Sequence, residues 1–132
     1  MSIIRQTVHT DHAPKAVGPY SQAVIANRFV FTAGVVGVNP ATGQVVEGGI
    51  AEQTRQAFAN LNAILQAAGT TFENVVKTTV FLRNISDFQA MNKVYGEFFP
   101  TNPPARSTAG SHELPLGALI EIEMIALLPS QT

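Results

Sequence analysis

The sequence predicts an α+β fold: a mixed sheet of about six strands with two helices packed on one face. Three observations carry this. Ile50 to Ala68 repeats apolar residues at three- and four-residue spacings, the period of an amphipathic helix. Ser86 to Phe98 does the same over a shorter stretch. Around them, short runs rich in Val, Ile, Phe and Thr alternate with turn residues, the signature of strands. The resulting order is β-β-β-α-β-α-β-β, and two helices can cover only one face of such a sheet.

Taken in order, Ile3 to Val8 reads as a first strand, and Asp11 to Pro19 as a loop punctuated by Pro14, Gly18 and Pro19. Tyr20 to Ala26 and Arg28 to Val38 are strand runs joined as a hairpin at Asn27. A turn follows at Asn39 to Gly43, then a short extended piece at Gln44 to Val46. In the Ile50–Ala68 helix the buried stripe is Ile50, Thr54, Ala57, Phe58, Leu61, Ile64, Leu65 and Ala68. Gln53, Arg55, Gln56, Asn60 and Gln66 lie mostly away from it, and Gly69 supplies the C-terminal cap. Val75 to Leu82 is a strand with bulky residues on both sides, so both of its faces should be covered. Ser86-Asp87-Phe88-Gln89 reads as a capping box opening the second helix, with Phe88, Met91, Val94, Tyr95 and Phe98 inward. Ala105 to Gly110 and Ala118 to Leu128 are the last strands, connected through Leu114 to Gly117.

Composition narrows the function. A chain of 132 residues suits one domain, spanning 1–132, with one core. Charged residues make up only 13% of it, against roughly 25% in ordinary globular proteins. Part of the surface is therefore expected to meet other subunits. The formal net charge of -1, from scattered basic residues, leaves no footprint for nucleic acid or an anionic membrane. No cysteine is present, which rules out disulfides and thiol chemistry. No apolar run spans a membrane and no leader peptide is visible, so the cytoplasm is the default compartment. Metal binding finds little support, because His9 and His12 lack a third ligand at sensible spacing and His112 is remote. No nucleophile elbow, dinucleotide loop or phosphate loop is present either. Any chemistry must run on a cation, a carboxylate and backbone groups, without a cofactor.

The candidates for those groups are Arg106 and Glu121. Arg106 follows Pro103-Pro104, which stiffen its approach, and Ile120-Glu121-Ile122-Glu123 comes shortly after. Glu121 and Glu123 share one strand face, with Ile120, Ile122 and Met124 on the other. Carboxylates on so apolar a strand need a partner or a wet cleft. For Glu123 a pairing with Lys77 or Arg83 is favoured; for Glu121 a structural pair and a water-activating base both stand. Thr108, two residues beyond Arg106, projects to the same side, as strand filling or as a holder of water. Tyr20 is either a core-edge residue or the lid of a pocket, and Asn92 on the second helix reads as a surface residue.

Together these segments resemble the RidA (YjgF) family of imine deaminases. The resemblance rests on Gly18-Pro19-Tyr20-Ser21-Gln22-Ala23, Phe31-Thr32-Ala33-Gly34, Val76 to Leu82, Met91-Asn92-Lys93-Val94-Tyr95 with Phe98-Phe99, Pro104-Ala105-Arg106-Ser107 and Ile120-Glu121-Ile122-Glu123. It spans nearly the whole chain in the right order. It implies a chorismate-mutase-like fold and a homotrimer with ligand clefts between subunits. It also implies hydrolysis of 2-imino acids and their enamine tautomers to 2-keto acids and ammonia. In that reading Arg106 grips the substrate carboxylate and Glu121 activates water. Thr108 and the Gly34 backbone complete the polar wall, and Tyr20 and Asn92 line or close the cleft. Two positions depart from the family pattern: Thr108 stands where Cys is frequent, and Ala33 where Ser is frequent. The first excludes a cysteine-based redox role and the second loses a substrate hydrogen bond; together they keep open a non-catalytic binder of small carboxylic or keto acids. An RNA nuclease or chaperone role, also associated with the family, sits poorly with the scattered charge.

Overall fold

The structure, a computed structural model, describes residues 3–111 and 113–129. The strands are β1 (Arg5–Val8), β2 (Ala23–Ala26), β3 (Phe29–Thr32), β4 (Val35–Val36), β5 (Val38–Asn39), β6 (Gln44–Val45), β7 (Val75–Leu82), β8 (Ala105–Gly110) and β9 (Ile120–Leu127). The helices are α1 (Ile50–Ala68) and α2 (Phe88–Phe98). A seven-stranded mixed sheet runs β1-β2-β3-β9-β7-β8, with β4 added to β9, and β5 and β6 form a separate two-stranded ribbon. Only β7 and β8 are parallel, which their connection through α2 permits; the other pairings are antiparallel. This is the α+β arrangement read from the sequence.

Alternation along β9 builds the core. Ile120, Ile122, Met124 and Ala126 are buried beneath the helices, together with Val80 and Leu82 of β7. From α1 come Phe58, Leu61, Ile64 and Leu65, each at most 2% exposed. Burying an aliphatic or Phe side chain of this kind stabilises the fold by about 1.5–3 kcal/mol. Phe58 stacks on Phe98 at 4.3 Å and meets Tyr95 edge-on at 5.7 Å, which fixes α2 to α1.

Four details differ from the sequence reading. The predicted Arg28–Val38 strand breaks between Thr32 and Val35. Phe31 pairs with Ile125 but Val35 pairs with Ile122, so one extra residue is inserted on this side. The Thr32 hydroxyl bridges the break, accepting from the Met124 N–H at 3.0 Å and donating to the Ala33 carbonyl at 2.9 Å. Second, Gln53 and Asn60 are buried rather than solvated. Asn60 donates to the carbonyls of Val36 and Val38, and Gln53 accepts from the Leu119 N–H at 2.8 Å. Third, no capping box forms at Ser86. A 3-10 turn over Ile85–Asp87 feeds straight into α2, and Asp87 makes no side-chain cap bond. Fourth, β7 is covered on one face only: Val80 is fully buried, while Val76 is 40% exposed.

The 36–38 segment lies tightly against α1. A Cβ at Gly37 would meet the Gln53 backbone oxygen at 2.5 Å and its Cα at 2.9 Å. Helix backbone cannot yield as a side-chain tip can, so Gly37→Ala should destabilise the protein by about 1–3 kcal/mol. A lowered urea midpoint at unchanged slope is the expected result.

Candidate active site

Glu121 is built into the floor of a cavity of about 770 Å³, which Tyr20 and Gly34 also line. It pairs with Phe81 on one side and Val36 on the other, on the sheet face turned away from the helices. The bulge between β3 and β4 brings Gly34 against it. A Cβ at Gly34 would stand 2.8 Å from the Glu121 Cδ and 2.9 Å from Oε1, so any side chain there would displace this carboxylate from its present position. Burial raises the proton affinity of Glu121, and the like charge of Glu123 adds to the rise. Glu123 lies opposite Thr79. The expected pairing of Glu123 with Lys77 or Arg83 is not formed. Lys77 donates instead to the Ser107 hydroxyl at 3.0 Å, and the ion pairs among the described residues are His9–Asp11 and Arg55–Glu97.

Tyr20 stands at the mouth of the same cavity, half exposed, its hydroxyl accepting from the Val17 N–H at 3.3 Å. The loop that carries it is held by a residue the sequence reading passed over. Gln22 is 4% exposed, and its amide accepts from the Thr10 N–H at 2.7 Å while donating to the carbonyls of Thr10 and Pro14. Its own backbone carbonyl takes the Ala33 N–H at 2.9 Å. One buried amide thus ties the Tyr20 loop to the bulge beside Glu121. A Gln flanked by Ser and Ala in a strand-like run carries no such signal, because its partners lie in a distant loop.

Arg106 lies elsewhere. On β8 it pairs with Thr78, which in turn pairs with Met124, and both of those are buried on the helix side. Arg106 therefore turns toward α2. Its guanidinium carbon sits 4.6 Å from the centre of the Tyr95 ring and 5.4 Å from that of Phe88. The Tyr95 and Thr78 hydroxyls share a 2.7 Å hydrogen bond. Burial pushes the Tyr95 pKa up, with the Thr78 bond and the nearby Arg106 charge opposing, so the phenol stays neutral. Arg106, Asn92, Tyr95, Pro103 and Pro104 border a smaller cavity of about 480 Å³. The Asn92 Oδ1 is buried without a hydrogen-bond partner among the described residues, so Asn92 is not the solvated surface residue first read. Thr108, opposite the buried Val80, follows Arg106 on the same side.

Within one chain, then, Arg106 and Glu121 are not neighbours. Tyr20, Gly34 and Glu121 line one cavity and Asn92 and Arg106 the other, with Glu121 and Arg106 on opposite sheet faces; Thr108 lines neither. His112 lies outside the described residues, and His9 is engaged with Asp11 at 2.9 Å.

Residues 10–128 match the family model described as Endoribonuclease L-PSP. The 2-iminobutanoate/2-iminopropanoate deaminase of Homo sapiens is 48% identical over 126 residues, covering 96% of this chain and 92% of the human protein. A putative endoribonuclease from Thermotoga maritima superposes with a TM-score of 0.91 at 44% identity, over 95% of this chain and 98% of that one. RidA from an Antarctic Psychrobacter gives a TM-score of 0.90 at 41% identity, over 93% and 99%.

The environment of Glu121 has a measurable consequence. A carboxyl whose proton affinity rises on folding stabilises the fold below its unfolded value, ordinarily 4.5, and loses that contribution as pH climbs through the folded value. Glu121→Gln should therefore raise the melting temperature at pH 7, with a gain that shrinks as the pH falls through the raised folded value and is gone below the ordinary value of 4.5. Thermal melts of both proteins across pH 4–8 check the sign.

Proposed function

This chain belongs to the endoribonuclease L-PSP family, and on that premise we infer that it is an enzyme that hydrolyses reactive 2-imino acids to 2-keto acids and ammonia. The observation that carries the activity is the near-complete alignment with relatives named 2-iminobutanoate/2-iminopropanoate deaminase. The inferred division of labour rests on geometry. Arg106 has no carboxylate partner among the described residues, so its donors are free to grip the carboxylate of an organic acid. Glu121, with its raised proton affinity, suits a base that takes a proton from water as the water oxygen bonds to the imine carbon. The C=N electron pair takes that proton from Glu121 at nitrogen, giving a carbinolamine; its hydroxyl proton then passes to the nitrogen as the C–N bond breaks, so that ammonia leaves and the added oxygen becomes the keto C=O. Gly34 leaves room for the carboxylate. Tyr20 closes the cleft, Asn92 lines its Arg106 side, and Thr108 follows Arg106 on the same side of β8. An imine carbon is already electrophilic, so holding one water and one carboxylate in register is enough.

Two half-sites on opposite faces of one sheet require a second copy of the chain to make a whole site. The proposed assembly is a homotrimer in which the Arg106 side of one subunit meets the Glu121 side of the next. Supporting it is the outer sheet face, where Phe29, Phe31, Val76 and Leu127 are each 37–42% exposed. No helix among the described residues is long and apolar enough to cross a membrane. A cytoplasmic setting and the absence of a nucleic-acid partner belong to the same proposal, and the formal net charge of -1 supports the second.

The tests are kinetic. In an imine-trapping assay with 2-iminobutanoate, Arg106→Ala should lose about 10²-fold or more in kcat/KM, from two charge-assisted hydrogen bonds. Glu121→Gln should lose about 10²–10⁴-fold in kcat. Unfolding the two inactive variants together and refolding them mixed should restore about a quarter of wild-type activity, the share of interfaces pairing an intact Arg106 with an intact Glu121. Mixed trimers without recovery would mean that each site uses one chain. RNA degradation by the purified protein without imine turnover would overturn the assignment itself.

A further inference from the structure

Arg106 is held in an unusual way for a buried-edge arginine, and the manner of holding has a function. Arginines at such positions are ordinarily fixed by a carboxylate, which occupies two of the five guanidinium N–H donors and cancels the charge. No carboxylate among the described residues does this for Arg106. Its neighbours are aromatic faces: Tyr95 at 4.6 Å and Phe88 at 5.4 Å. A guanidinium lying on a ring is attracted through its flat face, while its N–H donors project around its edge. These contacts restrain the group without cancelling its charge, and the donors not turned toward the Tyr95 hydroxyl stay free.

The platform is itself braced. Tyr95 is 6% exposed, packed at 5.7 Å against Phe58 and at 5.0 Å against Phe99. Its hydroxyl is tied at 2.7 Å to Thr78, the very residue that pairs with Arg106 across the sheet. Ring and arginine are thus referenced to the same point on β7. Phe88, by contrast, is 36% exposed at the start of α2, an apolar group with little packing reason to stand there.

We propose that Tyr95, anchored by Thr78, and Phe88 are positioning residues that hold the Arg106 guanidinium through aromatic contacts instead of a carboxylate, and so leave its charge for the substrate carboxylate. This rests on the reading of Arg106 given above, and it adds determinants of substrate affinity outside the polar residues of the cleft. Because the platform acts on a contact made by substrate and transition state alike, its loss should appear in KM and in binding, not in kcat.

The test uses the full-length protein, with calorimetric titration of 2-oxobutanoate, the stable keto acid, alongside imine kinetics and thermal melts. Phe88→Leu and Tyr95→Leu should each weaken 2-oxobutanoate binding and raise KM by about 2- to 30-fold, with kcat within about twofold of wild type. Tyr95→Phe, which keeps the ring, should restore most of the binding lost in Tyr95→Leu. Wild-type affinity and KM in both Leu variants, beside an Arg106→Ala that has lost both, would overturn the platform and leave the role of Arg106 standing. Unchanged affinity in Arg106→Ala would overturn the role of Arg106 and the platform with it. Should Tyr95→Leu not fold, Phe88→Leu decides alone, since its partly exposed position makes little demand on the core. A fall in kcat and melting temperature with KM unchanged would also refute the proposal, marking these rings as packing only.

Discussion

Side chains on a strand alternate between faces, and most of this molecule follows from that rule applied to β7, β8 and β9. Ile120, Ile122 and Met124 must point to the helices, or the core has no floor. Glu121 and Glu123 are then committed to the opposite face. Arg106, two strands away, is committed to the helix side through Thr78. A one-residue slip of β8 against β7 would swing Arg106 to the carboxylate face and deprive it of Tyr95. The separation of the two half-sites is therefore a consequence of the core.

The polar groups that hold the site are amides rather than charges. Gln22, Gln53 and Asn60 are buried, and each bridges elements distant in sequence. Gln22 ties the Tyr20 loop to the bulge, Asn60 holds the strand beyond Gly34, and Gln53 holds the chain entering β9. Each satisfies backbone groups that would otherwise be buried without partners. A neutral amide can do this at lower desolvation cost than a carboxylate or an ammonium. The charges bordering the cavities are then few: Glu121 and Lys15 at the larger one and Arg106 at the smaller.

How much of this could be read in advance depended on range. The limits of α1, β7 and β8, and the apolar side of β9, are legible because periodicity within one element sets them. The break after Thr32 was not, because it is a mismatch between two strands about ninety residues apart and leaves no local trace. Arg106 and Glu121 were identifiable as the cation and carboxylate of interest. Their separation was not, since a parallel register between β7 and β8 cannot be deduced from either strand alone. Asn60 was misplaced for a related reason. Helical spacing put it at the margin of the buried stripe, and only the arrival of Val36 and Val38 carbonyls makes burial there favourable.

The outer face joins assembly to chemistry. Phe29, Phe31, Ile125 and Leu127 lie on the same face of the sheet as Glu121, with Phe29 opposite Leu127 and Phe31 opposite Ile125. Along β9 this face passes from carboxylates to apolar residues within a few positions. A partner that covers the apolar end also excludes water from the carboxylate end. Desolvation is already the main cause of the raised proton affinity of Glu121 in the isolated chain. Further burial acts in the same direction unless the partner supplies a cation, and in the proposed homotrimer the Arg106 of the adjoining subunit would be such a cation. On that proposal the two effects would oppose each other, and the proton affinity of Glu121 would depend on whether a substrate carboxylate had taken up the charge of that arginine. Binding of the organic acid would then raise the basicity of Glu121 at the moment a base is needed, without any movement of the backbone.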